Sequence, residues 1–429
     1  MRCTVSQNRF ENHSSALCRA ARIVASRAAL AGCFGLVLAV SGCGGKRPPT
    51  FGELTGQPPA EEVQEAARPV REQEPDHTPD PAEAEPEKPK TLADLMALVV
   101  PGNKDTSDTR VQALIKHPEA ALNLVDLDLH DTPVTDKGLE GVETLTSLVN
   151  VDVRGTAASG STLMKLKRMP SLRTLRIGGT EARFPVPPFV EPTEFPELKE
   201  LTCTSVPIKG DSASFVRQLK GLTKLSLSQC SVSDADLACI RPLADLEDLE
   251  ISRNPITDEG LVFLLGHPRL RSLNISFTNI QGQGMAALVK SGELQELTSL
   301  SVGNLKLGDA FAEALVKLSK LEHLDLGQTT CTDKGLTLLR SFKGLKSLGL
   351  VECPGIVGPG LPILRELPEL ERLSLDLNPQ INDQHLAVFA TMKQLKYLGL
   401  TRTDCSELGA AKLREFLPEC EIAVGGSDQ

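Results

Sequence analysis

The chain has 429 residues; 40 % are hydrophobic but only 3 % aromatic, with one tyrosine and no tryptophan. Its core must therefore be built from Leu, Val and Ile, and it is poor in the Trp and Tyr anchors that dominate most interfaces. Net charge is −10, and Arg2, Arg9, Arg19, Arg22 and Arg27 outweigh Glu11 in the first 42 residues, so the remainder carries −14, which argues against nucleic acid as a partner because a phosphate backbone needs a basic footprint.

The basic segment runs into the apolar stretch AALAGCFGLVLAV at 28–40 and then SGCGG. That order is the order of an export signal, and the run is shorter than the roughly 20 apolar residues of a membrane-spanning helix. Within it VSGC, Val40 to Cys43, resembles the lipobox of bacterial lipoproteins. The resemblance implies a signal peptide over 1–42, cleavage before Cys43, a thioether-linked diacylglycerol on its sulfur and a fatty acyl group such as palmitate on its amine. Two or more acyl chains hold a protein stably on a membrane. Gly44 follows where some lipoproteins carry an Asp that retains them in the inner membrane, so the expected address is the bacterial cell envelope, the outer membrane in preference to the inner. An uncleaved anchor with an incidental cysteine is the plainer alternative.

The segment 43–90, which begins at the lipidated N-terminus, is dominated by Pro and Glu and buries too little apolar surface to offset its ordering entropy. A disordered tether is expected, with ends on the order of 40 Å apart. Amphipathic patterns at 91–100 and 107–117 then predict helices within a cap over 91–123.

From Leu124 one phrase recurs about every 24 residues, as in LEDLEISRNPITDEGL from Leu246. Counting its first Leu as position 1, twelve units begin at Leu124, Leu148, Leu172, Leu198, Leu222, Leu246, Leu270, Leu297, Leu321, Leu345, Leu370 and Leu395. Apolar positions 4 and 6 alternate with polar 3 and 5, predicting a strand buried on one face. Positions 16, 19 and 20, as in Leu261, Leu264 and Leu265, have helical spacing, and the Thr-Asp before them offers oxygens to a helix N-terminus. Position 9 is small and polar in most units, for example Thr132, Cys230, Asn254 and Asn378, with Val206 and Leu305 as exceptions; such side chains can bond turn backbone that would otherwise be buried unpaired.

The phrase resembles the leucine-rich repeats of bacterial surface lipoproteins and, more distantly, those of F-box substrate receptors. The resemblance implies an α/β leucine-rich repeat solenoid, a horseshoe over 124–424 with parallel strands on the concave face and helices on the convex one. FLPECEIAV at 416–424 resembles the closing strand of such arrays, leaving a short tail at 425–429. Nothing between Thr91 and Leu122 reads as an F-box, so a ubiquitin-ligase-like receptor is the weaker implication.

Seven cysteines follow Cys43, each where a repeat wants a small buried residue, so free structural thiols are expected. No histidine pairs with a cysteine or carboxylate at metal-ligand spacing, and neither a nucleophile elbow nor a phosphate loop is present. The reading is therefore non-catalytic, without metal or cofactor. Recognition is expected on the concave sheet, where position 5 runs from Asp128 to Gly399, and the candidate partner-binding residues are Arg173, Arg176, Glu250, Arg271, His323, Arg372 and Tyr397. In unit three, five prolines between Glu181 and Glu197 replace the outer helix; Phe184, Phe189 and Phe195 either plug the core or form an exposed docking loop. The expected protein is a monomeric, lipid-anchored module that binds a protein or peptide, with a structural or self-associating protein, and then an envelope enzyme, as alternatives.

Overall fold

The alternation of positions 3 to 6 forms what it predicts. The computed structural model describes residues 91–179 and 195–425; Cys43, the signal and the tether, Thr180, Phe184 and Phe189 lie outside them. Within these, thirteen strands follow one another: β1 Asp126–Asp128, β2 Asn150–Asp152, β3 Thr174–Gly178, β4 Glu200–Thr204, β5 Lys224–Ser228, β6 Asp248–Glu250, β7 Ser272–Asn274, β8 Ser299–Ser301, β9 His323–Asp325, β10 Ser347–Gly349, β11 Arg372–Ser374, β12 Tyr397–Thr401 and β13 Glu421–Gly425. They make one parallel sheet in strict chain order. Register is set by equivalence: Leu225 pairs with Leu249 and Leu249 with Leu273, so position 4 forms one column. Position 4 and 6 side chains, such as Leu249 at 1 % exposure and Ile251 at 0 %, fill a single continuous core.

Two features end each strand. In eleven units the position-8 residue is left-handed, from Glu352 at φ 53° to Gly155 at φ 67°, and most are not glycine. That conformation costs an L-residue roughly 1 kcal/mol. What it gains is one more rung of the ladder, for the position-8 N–H donates to the position-7 carbonyl of the next unit, as Arg253 does to Ser276 at 3.0 Å. Next comes position 9. Thr132, Thr156, Thr278, Thr329 and Thr403 each donate Oγ1–H to the carbonyl three residues back. Asn254 reaches further, donating to Leu227 O at 2.7 Å and accepting from Cys230 N at 3.0 Å, and Asn378 does the same to Leu350 O and from Cys353 N, both at 2.7 Å. Val206 and Leu305, the two exceptions, are buried apolar residues.

Away from the sheet, units use either α-helix, as at Gly282–Ser291, or 3-10 turns, as at Gly260–Leu264. The 3-10 form corrects one expectation. Three residues per turn put Leu261 and Leu264 on the core side, and Leu265 is 37 % exposed instead of buried.

The Thr-Asp-x-Gly phrase likewise works between units as well as within one. Thr332 caps its own helix by accepting from Lys334 N, but Asp333 accepts from Val357, Gly358 and Gly360 of the following unit. Equivalent carboxylates bind the next unit's backbone N–H and hydroxyl at Asp108 to Thr135, Asp234 to Thr257, Asp309 to Thr332 and Asp383 to Ser406. The glycine at position 15 makes room for the carboxylate of the unit before: a β-carbon on Gly335 would stand 2.5 Å from Asp309 Oδ1. Where the preceding residue is itself glycine, the order inverts. Gly210 N–H donates to Asp236 at 3.2 Å, Gly358 lies against His385, and Gly282 faces Phe311.

These carboxylates set an acid limit. Burial alone would raise the Asp136 pKa, but hydrogen bonds from Ser159 and Thr162 bring it down to about 2. The Ser406 hydroxyl and N–H lower Asp383 in the same way. A folded pKa below the unfolded value of roughly 4 means stability that is complete above pH 4 and lost as pH falls toward 2. Urea midpoints should therefore fall steeply between pH 4 and pH 2, and Asp136→Asn should lower the midpoint at pH 6 while making this decline shallower. An unchanged slope would remove Asp136 from the account.

Both ends are closed. Helix Leu92–Leu98 opens with a reciprocal cap between Thr91 and Asp94, and Leu92 and Leu95 are buried. Helix Asp108–Ile115 buries Val111, Leu114 and Ile115, and an additional short turn, Ala120–Asn123, leads into the first strand. At the other end β13 pairs along five residues with β12. Phe195 enters the core at 4 % exposure, its ring centroid 5.7 Å from that of Phe215. None of the helices among the described residues is long and apolar enough to cross a membrane.

Candidate functional site: the open face of the sheet

With positions 4 and 6 inside, positions 3 and 5 share the open face. The seven candidates separate on it. Arg173 and Arg271 stand at position 2, before β3 and β7; their side chains are exposed, and their carbonyls each accept two N–H groups from the next unit. His323 is exposed at position 3 of β9, between Ser299 and Ser347 in register. Arg372 and Tyr397 are neighbours on β11 and β12, the guanidinium 5.0 Å from the ring centroid. Burial pushes the Tyr397 hydroxyl pKa up. The position-5 row takes nine strand steps from Arg176 on β3 to Gly399 on β12, or roughly 43 Å at sheet spacing, so this aromatic pair and Arg176 are separate features.

Arg176 and Glu250 do come together, in one depression of about 360 Å³ across β3 to β8. Its lining adds residues that a scan of position 5 alone passes over: Glu200, Lys224 and Asp248, all at position 3. Strand alternation is the signal that finds them, because positions 3 and 5 point the same way. Lys224 is paired with Glu200 at 3.2 Å. Arg176, Asp248 and Glu250 form no ion pair among the described residues. Thr202 and Ser226 lie between the poles, in register between Arg176 and Glu250.

Part of the position-5 row serves the fold. Asp152, Glu250 and Asp325 each accept the N–H two residues on, from Arg154 at 3.1 Å, Ser252 at 3.0 Å and Gly327 at 3.0 Å. Asp152 also holds the Arg154 guanidinium, 2.6 Å from Nη2. One pairing corrects the expectation that no histidine pairs with a carboxylate at metal-ligand spacing: His130 Nδ1 lies 2.7 Å from Asp128 Oδ1, and the hydrogen bond raises the histidine pKa. With Asp152 these residues bring three ligand-type atoms within 4.8 Å of one another. Both carboxylates already have partners in His130 and Arg154.

The seven thiols of the described residues are unpaired, and all but the half-buried Cys405 are buried. Burial pushes Cys230 up to about 11 and Cys239 and Cys331 up to about 12. They pack as small apolar groups, and Cys230 and Cys353 also donate weakly to the carbonyls of Cys203 and Leu326.

A family model described as leucine-rich repeat matches residues 244–265 and 267–289. The chain carries leucine-rich repeats. With the ordered parallel sheet, they define an α/β leucine-rich repeat solenoid. Similar solved structures include an internalin (inlF) of Listeria monocytogenes, with 19 % identity over 67 % of this chain and 83 % of that one at TM-score 0.47. Internalin C2 of the same species has 22 % identity over 49 % and 84 % at TM-score 0.39. A Leptospira interrogans leucine-rich repeat protein has 19 % identity over 73 % and 74 % at TM-score 0.43. No curated protein matches the chain.

Proposed function

We propose that the protein is a non-catalytic, protein-binding module of the bacterial cell envelope, lipid-anchored through Cys43 and recognising its partner on the open face of the leucine-rich repeat sheet. The observation that carries the reading is the depression lined by Arg176, Glu250 and their neighbours, where Arg176, Asp248 and Glu250 form no ion pair among the described residues and stand over a polar floor. A rigid parallel sheet supports this role because it holds side chains at fixed spacing without the cost of ordering a loop on binding. The tether would set reach and keep the module concentrated near the membrane.

The test is cross-linking and co-purification from native membranes, comparing the full chain with a variant carrying Arg173, Arg176, Glu250 and Tyr397 all changed to Ser. A discrete partner lost by the variant is the expected result. A partner kept by both forms moves recognition off the sheet, and no partner with either form favours a structural role. In the same preparation Cys43→Ser should shift the protein from the membrane pellet to the supernatant; retention in the pellet would remove the lipid anchor.

A further inference from the structure

The depression has polarity as well as shape. At one side Arg176 presents a guanidinium with no ion-pair partner among the described residues; at the other Asp248 and Glu250 sit two residues apart on β6, both facing out, also without a cation. Lys224, the other cation lining the depression, pairs with Glu200 at 3.2 Å. Between the poles the row offers only the hydroxyls of Thr202 and Ser226. The register Arg176, Thr202, Ser226, Glu250 spans three strand steps, about 14 Å. An extended peptide advances roughly 3.3 Å per residue, so 14 Å corresponds to about four residues. Residues i and i+4 of an extended chain lie on one face, with i+2 between them on the same side.

These distances agree with one kind of occupant. We infer that the depression binds an extended peptide segment laid across β3 to β6, with an acidic side chain on Arg176, a basic side chain four residues away between Asp248 and Glu250, and a small polar residue midway over Thr202 and Ser226. Position 5 has small side chains at Thr202 and Ser226, leaving room for the peptide between the charges. Charge complementarity selects the segment, and spacing selects it further, because a three-residue separation would send one of the two charges away from the sheet. The inference rests on the sheet face being the recognition surface.

The test uses the full chain in detergent and three labelled nine-residue peptides in a Gly/Ser background, read by fluorescence anisotropy at low salt. One carries Glu and Lys four residues apart, one carries them three apart, and one carries Lys at both of the four-apart positions. The first is expected to bind roughly fivefold tighter than the second, the worth of one partly exposed ion pair. Arg176→Glu should transfer the preference to the Lys/Lys peptide, whereas Arg176→Gln should abolish the preference without reversing it; thermal melts of both variants serve as the folding control. Equal affinity for the two spacings, equal loss of all three peptides in Arg176→Glu, or binding of none would overturn the inference. If the membrane co-purification yields a partner lost by the Ser variant while the peptides obey no spacing rule, this inference fails alone; if no partner is captured, the function fails with it.

Discussion

Asn378→Ala is expected to be the most damaging single substitution on the sheet side of the array, lowering stability by about 3 to 5 kcal/mol. Asn378 is fully buried. Its amide donates to Leu350 O at 2.7 Å and Leu375 O at 2.8 Å and accepts from Cys353 N at 2.7 Å. Alanine would leave these backbone groups without that partner in a space reached by no bulk water, each at a desolvation cost of roughly 1 to 3 kcal/mol. Two of the three lie in the preceding unit, so the loss falls on the joint between units ten and eleven. Asn378→Thr should recover part of it, because the threonines at this position bond only within their own turn, as Thr329 does to Leu326 O at 2.7 Å. Chemical denaturation ranking Ala below Thr below Asn checks this; equal effects would mean that the cross-unit bonds contribute nothing.

The second large effect is a reversal of sign. Gly284 lies inside the helix Gly282–Ser291, where replacing Gly by Ala ordinarily stabilises by about 1 kcal/mol. Here Gly284→Ala should destabilise by about 2 kcal/mol, because the new methyl overlaps the Asp258 carboxylate and displaces it from its charge-assisted bonds. Those bonds come from Gln281 N at 2.7 Å and Gly284 N at 3.1 Å. In an Asp258→Ala background the same change should become neutral or stabilising. Thermal and urea midpoints of the four proteins form a double-mutant cycle; an additive cycle would refute the steric pairing.

The strands were legible because a period of two, repeated unit after unit, admits one register for Leu249 and Ile251. The helical side was less so. Leu265 follows a pattern that fits an α-helix, but the chain before it makes 3-10 turns, and the spacing of the leucines alone does not tell the two apart. The phrase Thr-Asp-x-Gly was visible at once, yet its aspartate reads as a cap for its own helix, since reasoning within one unit cannot see an acceptor's partner 23 residues on, as between Asp234 and Thr257. Of the candidate site, Arg176 and Glu250 could be picked out as charged members of position 5, and the structure puts both in one depression. Asp248 was missed although it shares their face. Arg372 and Tyr397 drew attention by residue type, whereas proximity in this sheet follows unit number.

The complementary pairs between units carry a consequence for how such a gene can lengthen or shorten. Recombination that removed unit nine would bring Asp309 opposite Gly360, a permitted match, and the product could fold. Removing unit seven would set Asp258 against Phe311, and removing unit ten would set Asp333 against His385, two bulky partners in the space meant for one. Removing unit eight would instead face Gly282 with Gly335 and leave a gap. The units are thus not interchangeable copies: at the described junctions each is addressed to its successor, so that duplication and loss are open at some junctions of the coding sequence and closed at others.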